Sequence, residues 1–218
     1  LKGSFDYWIV KINSMGVIEW QKTFGGTGSD VAESICETED NGFIVGGWSN
    51  SNDLDVVNNN GFGDYWILKL SSSGVLEWQK TFGGSDSESL TKVIQTSDGG
   101  YLLSGYSISN DGDVSNNHGL FDFWIVKINS FGSIEWQKSL GGSGWDSGLS
   151  VCPTSDLGFI VVGSTSSNNG DVSVNNGGID GWVVKINSNG VIEWEKCYGD
   201  IETNVLYCIQ QTMDGGFV

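Results

Sequence analysis

The first tryptophan of a recurring pair stands at positions 8, 66, 124 and 182, so the same 58-residue spacing separates each copy from the next. Around it the sequence repeats as Asp6-Tyr7-Trp8, Asp64-Tyr65-Trp66, Asp122-Phe123-Trp124 and Asp180-Gly181-Trp182. A second tryptophan follows in Glu19-Trp20-Gln21-Lys22, Glu77-Trp78-Gln79-Lys80, Glu135-Trp136-Gln137-Lys138 and Glu193-Trp194-Glu195-Lys196. An invariant period of this length makes each copy one supersecondary unit that cannot bury its own faces and must stack on its neighbours. The copies run 6–63, 64–121, 122–179 and 180–218, the last incomplete.

Each copy holds four short apolar runs and almost nothing of helical period. In the first copy the expected strands are Tyr7–Ile12, Val17–Phe24, Val31–Glu37 and Phe43–Ser49. Gly16, Gly74, Gly132 and Gly190 close the first turn, where a tight hairpin needs positive φ. Asp40-Asn41-Gly42 and its equivalents mark a second hairpin. Tyr7-Trp8-Ile9-Val10 is apolar on both alternating faces, so both faces of its sheet must be covered. Gly25-Gly26-Thr27-Gly28-Ser29-Asp30 can span from the outer edge of one sheet to the inner strand of the next. Six extended residues reach about 20 Å, against about 14 Å for three strand spacings. The expected order from the inside outward is therefore Val31–Glu37, Phe43–Ser49, Asp64–Leu70, Val75–Phe82. This describes an all-β propeller of four-stranded antiparallel blades, with sequence repeats straddling the blade boundaries. Because the chain starts and stops in mid-pattern, we expect a piece of a larger propeller. In the alternative, the two outer strands of the first copy and the two inner ones of the last close a ring of four blades.

Charge narrows the function. Ten cationic side chains, all lysine, face 27 acids, for a net charge of −17. Such a surface repels phosphate backbones and anionic lipid, which argues against nucleic acid as a partner. No apolar run is long enough for membrane insertion as a spanning helix. Cys36 and Cys152 fall at one repeat position two copies apart; Cys197 and Cys208 lie in neighbouring segments, where either pairing or free thiols fit the spacing.

The runs Asp64–Lys69, Glu77–Gly84 and Thr96–Tyr101 resemble the secreted β-propeller repeats of Bacteroidetes-type bacteria. That resemblance covers nearly the whole chain. It implies a secreted or cell-surface location through the type IX route, and related arrays accompany endoglucanase-like proteins. It brings no catalytic residue.

Most recurrent side chains are expected to be structural. The repeated tryptophans should pack between sheets, and Lys69 and its equivalents should pair with acids such as Glu77. Asp40, Asp98, Asp156 and Asp214 suit Asx turns. Trp48 and Trp145 depart from the repeat: other copies carry Tyr106 or Ser164 at the first position and small hydroxyl residues at the second. They are the candidates for stacking on a sugar ring. The loops after the fourth strand gather Asp53 with Asp55, Asp111 with Asp113, and Asn169 with Asp171. Alternating carboxylate and amide oxygens suit Ca²⁺, although turns use the same residues for their own hydrogen bonds. His118 is the only histidine and has no nucleophile to form a triad. The expected function is a non-catalytic binding or adhesion scaffold for polysaccharide or a surface protein; the alternative is an accessory, or less readily a catalytic, module of a secreted glycoside hydrolase.

Overall fold

A computed structural model describes residues 2–218 and, among them, contains strands and no helix. The strands are β1 (Tyr7–Ile12), β2 (Ile18–Phe24), β3 (Asp30–Glu37), β4 (Phe43–Ser49), β5 (Asp64–Leu70), β6 (Leu76–Phe82), β7 (Glu88–Gln95), β8 (Tyr101–Ser107), β9 (Asp122–Ile128), β10 (Ile134–Leu140), β11 (Asp146–Pro153), β12 (Phe159–Thr165), β13 (Asp180–Ile186) and β14 (Ile192–Tyr198). They form three four-stranded antiparallel sheets, β3-β4-β5-β6, β7-β8-β9-β10 and β11-β12-β13-β14, and one two-stranded sheet, β1-β2. Every four-stranded sheet thus draws two strands from one sequence copy and two from the next, in the order expected.

Turn chemistry sets these boundaries. Gly16, Gly74, Gly132 and Gly190 have φ between 73° and 77°; Gly16 closes the β1-β2 hairpin and the others the hairpins between the third and fourth strands of the four-stranded sheets. At the second hairpin Asp40 Oδ1 accepts from Gly42 N at 3.0 Å and Asp98 Oδ1 from Gly100 N at 2.9 Å, the Asx geometry expected of them.

Packing between sheets buries the third strand of each. All seven residues of β5, β9 and β13 are buried. The rings of Tyr7 and Trp66 lie 4.5 Å apart, those of Tyr65 and Trp124 4.6 Å, and those of Phe123 and Trp182 4.7 Å. Tyr65 Oη also donates to the Trp124 carbonyl at 2.9 Å, as Tyr7 Oη does to Trp66 at 3.0 Å. A buried indole N–H needs an acceptor. Gln79, Gln137 and Glu195 on the outer strands supply it to Trp66, Trp124 and Trp182 at 3.0, 3.0 and 2.8 Å. Lys69, Lys127 and Lys185 bridge Glu77, Glu135 and Glu193 at 3.1, 2.8 and 2.7 Å, as expected, and reach the hairpin acids Asp40, Asp98 and Asp156 as well.

One expectation needs correction. Residues 204–218 form no strand: Asn204 N donates to the Ile179 carbonyl at 2.7 Å and Leu206 N to the Gly163 carbonyl at 3.3 Å, Gln211 and Phe217 make an isolated bridge, and Leu206, Ile209 and Phe217 pack on Ile160, Val162 and Val183. Among the described residues the two-stranded sheet and this last segment do not join, so the four-bladed ring does not close. The second tryptophan of each pair packs between sheets as expected, though less deeply than the first: Trp20, Trp78 and Trp136 are half-buried against the neighbouring clusters, with Trp20 5.7 Å from the Phe43 ring, while Trp194 is exposed.

Glycine tests the tightness of the inner strands. A Cβ on Gly105 would collide with the Ser89 carbonyl and Tyr65 Oη, whereas one on Gly99 meets nothing within 4 Å. Gly105→Ala should therefore lower stability by about 2 kcal/mol or more. Gly99→Ala, penalised only for its positive φ, should cost about 1 kcal/mol. Urea denaturation of both variants gives the ranking, and the reverse order would contradict this packing.

Candidate binding surface

The loops at one end of the sheets are fixed by acids. After β6 the chain turns through Gly83-Gly84, and the loop following β8 lies over it. Asp111 Oδ1 accepts from Ser85 N at 2.7 Å and Asp113 Oδ2 from Gly83 N at 3.3 Å. The first copy repeats this: Asp53 takes both the N–H and the hydroxyl of Thr27 at 2.8 Å, and Asp55 Oδ2 takes Gly25 N at 3.0 Å. In the third copy Asn169 Oδ1 takes Ser143 N at 2.8 Å and Asp171 Oδ2 takes Gly141 N at 3.1 Å. The six side chains expected to ligate Ca²⁺ therefore fall into three separate loop clamps, with their oxygens engaged by the backbone. Among the described residues no three His, Cys, Asp or Glu side chains gather into a metal-holding group. Each clamp ties its loop to the Gly-Gly crossing 26 to 30 residues earlier in the chain.

Beneath each clamp sits a buried pair of acids that the sequence did not single out as a pair. Glu88 accepts from Gly84 N at 2.8 Å and from the Ser107 hydroxyl at 2.7 Å. Asp64 accepts from Asn60 N at 2.9 Å, while its Oδ1 is buried without a partner. A Cβ on Gly83 would collide with both Asp64 Oδ1 and Glu88 Oε2, which explains the glycine and shows how closely the two acids approach. Asp122 and Asp146 meet in the same way at Gly141. Burial, reinforced by the charges of Glu88 and Asp113, pushes the Asp64 carboxyl up to about 7. Burial likewise raises Asp122 to about 6, against the stabilising N–H and ring of His118, whose Nδ1 lies 2.8 Å from Asp122 Oδ2. The lone histidine is thus part of a loop contact.

All four cysteines are free, so Cys197 and Cys208 do not pair. Burial raises the Cys197 thiol to about 12, leaving it protonated and inert.

The residues that break the repeat come together. Trp48 and Tyr106 lie near the ends of β4 and β8, Phe62 and Phe121 just before β5 and β9, and Trp145 just before β11. The Tyr106 and Phe121 rings are 5.2 Å apart, and Phe121 and Trp145 5.3 Å, both edge to face. Trp48, Phe62, Tyr106 and Phe121 line one cleft of about 290 Å³, with Ser87, Ser89 and Glu88 beside them. Tyr106, Phe121 and Trp145 continue into a second, of about 600 Å³, closed by Ser147, Ser164 and Tyr207. Trp145 is 57% exposed and Phe62 75%. Both expected sugar-stacking residues therefore lie on one continuous aromatic row. Phe62, Tyr106, Phe121 and Tyr207 were missed, because their signal is departure from the repeat at positions scattered along the chain.

No family model matches this chain, and no curated protein does. Among solved structures, a protein of unknown function from Bacteroides caccae aligns with 92% of this chain and 79% of its own at 13% identity. Its TM-score of 0.33 is too low to bear on fold or function.

The paired acids set a pH dependence. An unfolded aspartate titrates near 4, so between there and about 7 folded Asp64 and Asp122 hold protons that the unfolded chain releases. Stability should fall as pH rises through this window. Below it the opposite sign takes over. The hydrogen bonds of Lys69 and Thr38 hold Asp40 down at about 2. Asp98 also reaches about 2, its burial outweighed by Lys127 and Thr96. Thermal melts should peak near pH 4–5. Asp64→Asn, which supplies a permanent donor beside Glu88, should raise the melting temperature at pH 8 by roughly 2–6 °C and change little at pH 4. A melting temperature that climbs from pH 5 to 8 in the parent would contradict the buried-acid reading.

Proposed function

We propose that this chain is a non-catalytic binding scaffold that holds a polysaccharide along the aromatic row. The observation that carries this is the convergence of the non-repeated aromatics. The side chains that stack the sheets recur at each copy, whereas Trp48, Phe62, Tyr106, Phe121 and Trp145 sit at positions whose occupants change from copy to copy, and they meet on one surface. Flat aromatic faces flanked by serine hydroxyls complement a pyranose, which offers C–H faces and equatorial hydroxyls. The acids with displaced titration, Asp64 and Asp122, lie in loop clamps that recur, which favours binding over hydrolysis.

The same reading takes the stacked sheets as propeller blades. Strand β7 packs on β3 and β4, and β11 on β7, β8 and β9, so contact between sheets is closest on the inner strands. A secreted or cell-surface location follows from the sequence resemblance and suits a scaffold of this charge.

Affinity electrophoresis and calorimetry against a panel of soluble β-glucans, xylans and mannans test the reading. One of them should bind. Trp145→Ala and Phe62→Ala should each weaken that binding by roughly five- to tenfold, as the loss of one stacking platform implies. Leu157→Ala, on an exposed hairpin at the opposite end of the sheets, should leave it unchanged. Absence of binding across the panel, or equal weakening by all three substitutions, would overturn the proposal.

A further inference from the structure

The cleft of about 290 Å³ lies between the sheets β3-β4-β5-β6 and β7-β8-β9-β10, and charge is distributed around it as unevenly as the aromatic rings are. The cations stand elsewhere. Eight of the ten lysines lie on β1, β2, β5, β6, β9, β10, β13 and β14, one on each, and none of these is an inner strand of a sheet. Lys69, Lys127 and Lys185 are buried near the far ends of their strands, each held between two acids. Lys2 pairs with Asp55. Lys92 stands three residues beyond Ser89 on β7, opposite Ser104, about 10 Å along the strand from the cleft.

Acids stand at the cleft itself. Glu88 lines it and is buried; its oxygens accept from Gly84 N and the Ser107 hydroxyl, and among the described residues no lysine pairs with it. Its contribution to the cleft is therefore a field rather than a contact. Asp86 is exposed, two residues earlier. Its carbonyl accepts from Phe62 N at 3.0 Å, which seats it beside a ring that is 75% exposed. Among the described residues no hydrogen bond or ion pair engages the Asp86 carboxylate. Both acids depart from the repeat as the aromatics do. In the copies on either side, Gly28 and Gly144 take the position of Asp86, and Asp30 and Asp146 that of Glu88.

We propose that this cleft selects a glycan bearing protonated amines, a chain of β-linked 2-amino sugars, over neutral and acidic chains of the same shape. The selection presupposes that the aromatic row holds a polysaccharide. An ammonium group on a sugar stacked at Phe62 meets the negative face of an aromatic ring, an unengaged carboxylate at Asp86 and the hydroxyls of Ser87 and Ser89. A neutral sugar gains the stacking alone. A uronate would face Asp86 and Glu88 with no cation to receive it, and like-charge juxtaposition excludes it. The net charge of −17 adds to this by concentrating a polycation near the surface.

Calorimetry on the whole chain compares the β-1,4-linked hexamers of glucosamine, N-acetylglucosamine and glucose at a pH where the amine is protonated. The glucosamine hexamer should bind at least about tenfold more tightly than either neutral one. Added salt should shrink that advantage. Asp86→Asn should weaken the glucosamine hexamer by about three- to fivefold and leave the glucose hexamer unchanged. Glu39→Gln, which removes an exposed acid at the opposite end of the sheets, should change neither. Equal affinity for the three hexamers, or equal loss from Asp86→Asn and Glu39→Gln, would overturn the selection and leave the polysaccharide scaffold standing. No binding of any hexamer would overturn both. Displacement by hexalysine as efficient as by the glucosamine hexamer itself would show that the cleft takes a basic peptide, and would overturn the assignment to a glycan.

Discussion

Burial of one tryptophan per sheet, with its indole N–H answered across the strand pair, is the interaction on which the architecture depends. Trp66, Trp124 and Trp182 are each wedged against an aromatic ring of the preceding sheet, and Gln79, Gln137 and Glu195 satisfy their donors. Without the glutamine or glutamate a buried N–H would go unmet, at a cost comparable to the hydrogen bond itself. Without the neighbouring sheet the ring would face water, as Trp8 does. The same tyrosine that stacks on the tryptophan also donates to its carbonyl, so ring packing and register are fixed by one pair of residues. Each sheet buries its apolar face against the one beside it.

From that constraint the division of the surface follows. The outer strands carry the Lys69–Glu77 type of bridge, and these recur because the strands they tie recur. The loops at one end are spent on holding the Gly-Gly crossings, and the acids there are consumed by backbone N–H groups. What remains free to vary lies where the inner strands end, and there the chain has placed its aromatic row.

Much of the fold was legible in the sequence because its determinants are local and repeated. The glycines at 16, 74, 132 and 190 mark hairpins that need positive φ, and the six-residue crossing is long enough to run from the outer edge of one sheet to the inner strand of the next. The loop acids carry two readings in the sequence, and their partners became visible only in the fold. Asp53 and Asp55 alternate with amides as cation ligands do, but Thr27 and Gly25, far back in the chain, take up their oxygens. The Asp64–Glu88 approach depends on two segments meeting across a glycine, which neither segment announces. Trp48 and Trp145 stood out as breaks in the repeat, but their companions Phe62, Phe121 and Tyr207 became visible only when three copies were laid side by side. The last segment carries the repeat's inner-strand sequence yet forms only isolated bridges.

Amide hydrogen exchange, compared at a single repeat position along the chain, tests the central claim that each sheet is secured by its neighbours. Residues 65–70 and 123–128, covered on both sides, should exchange most slowly, and residues 7–12, of the same pattern with one edge open, orders of magnitude faster. Equal protection of all these segments would show that each sheet holds by itself, and would contradict the account.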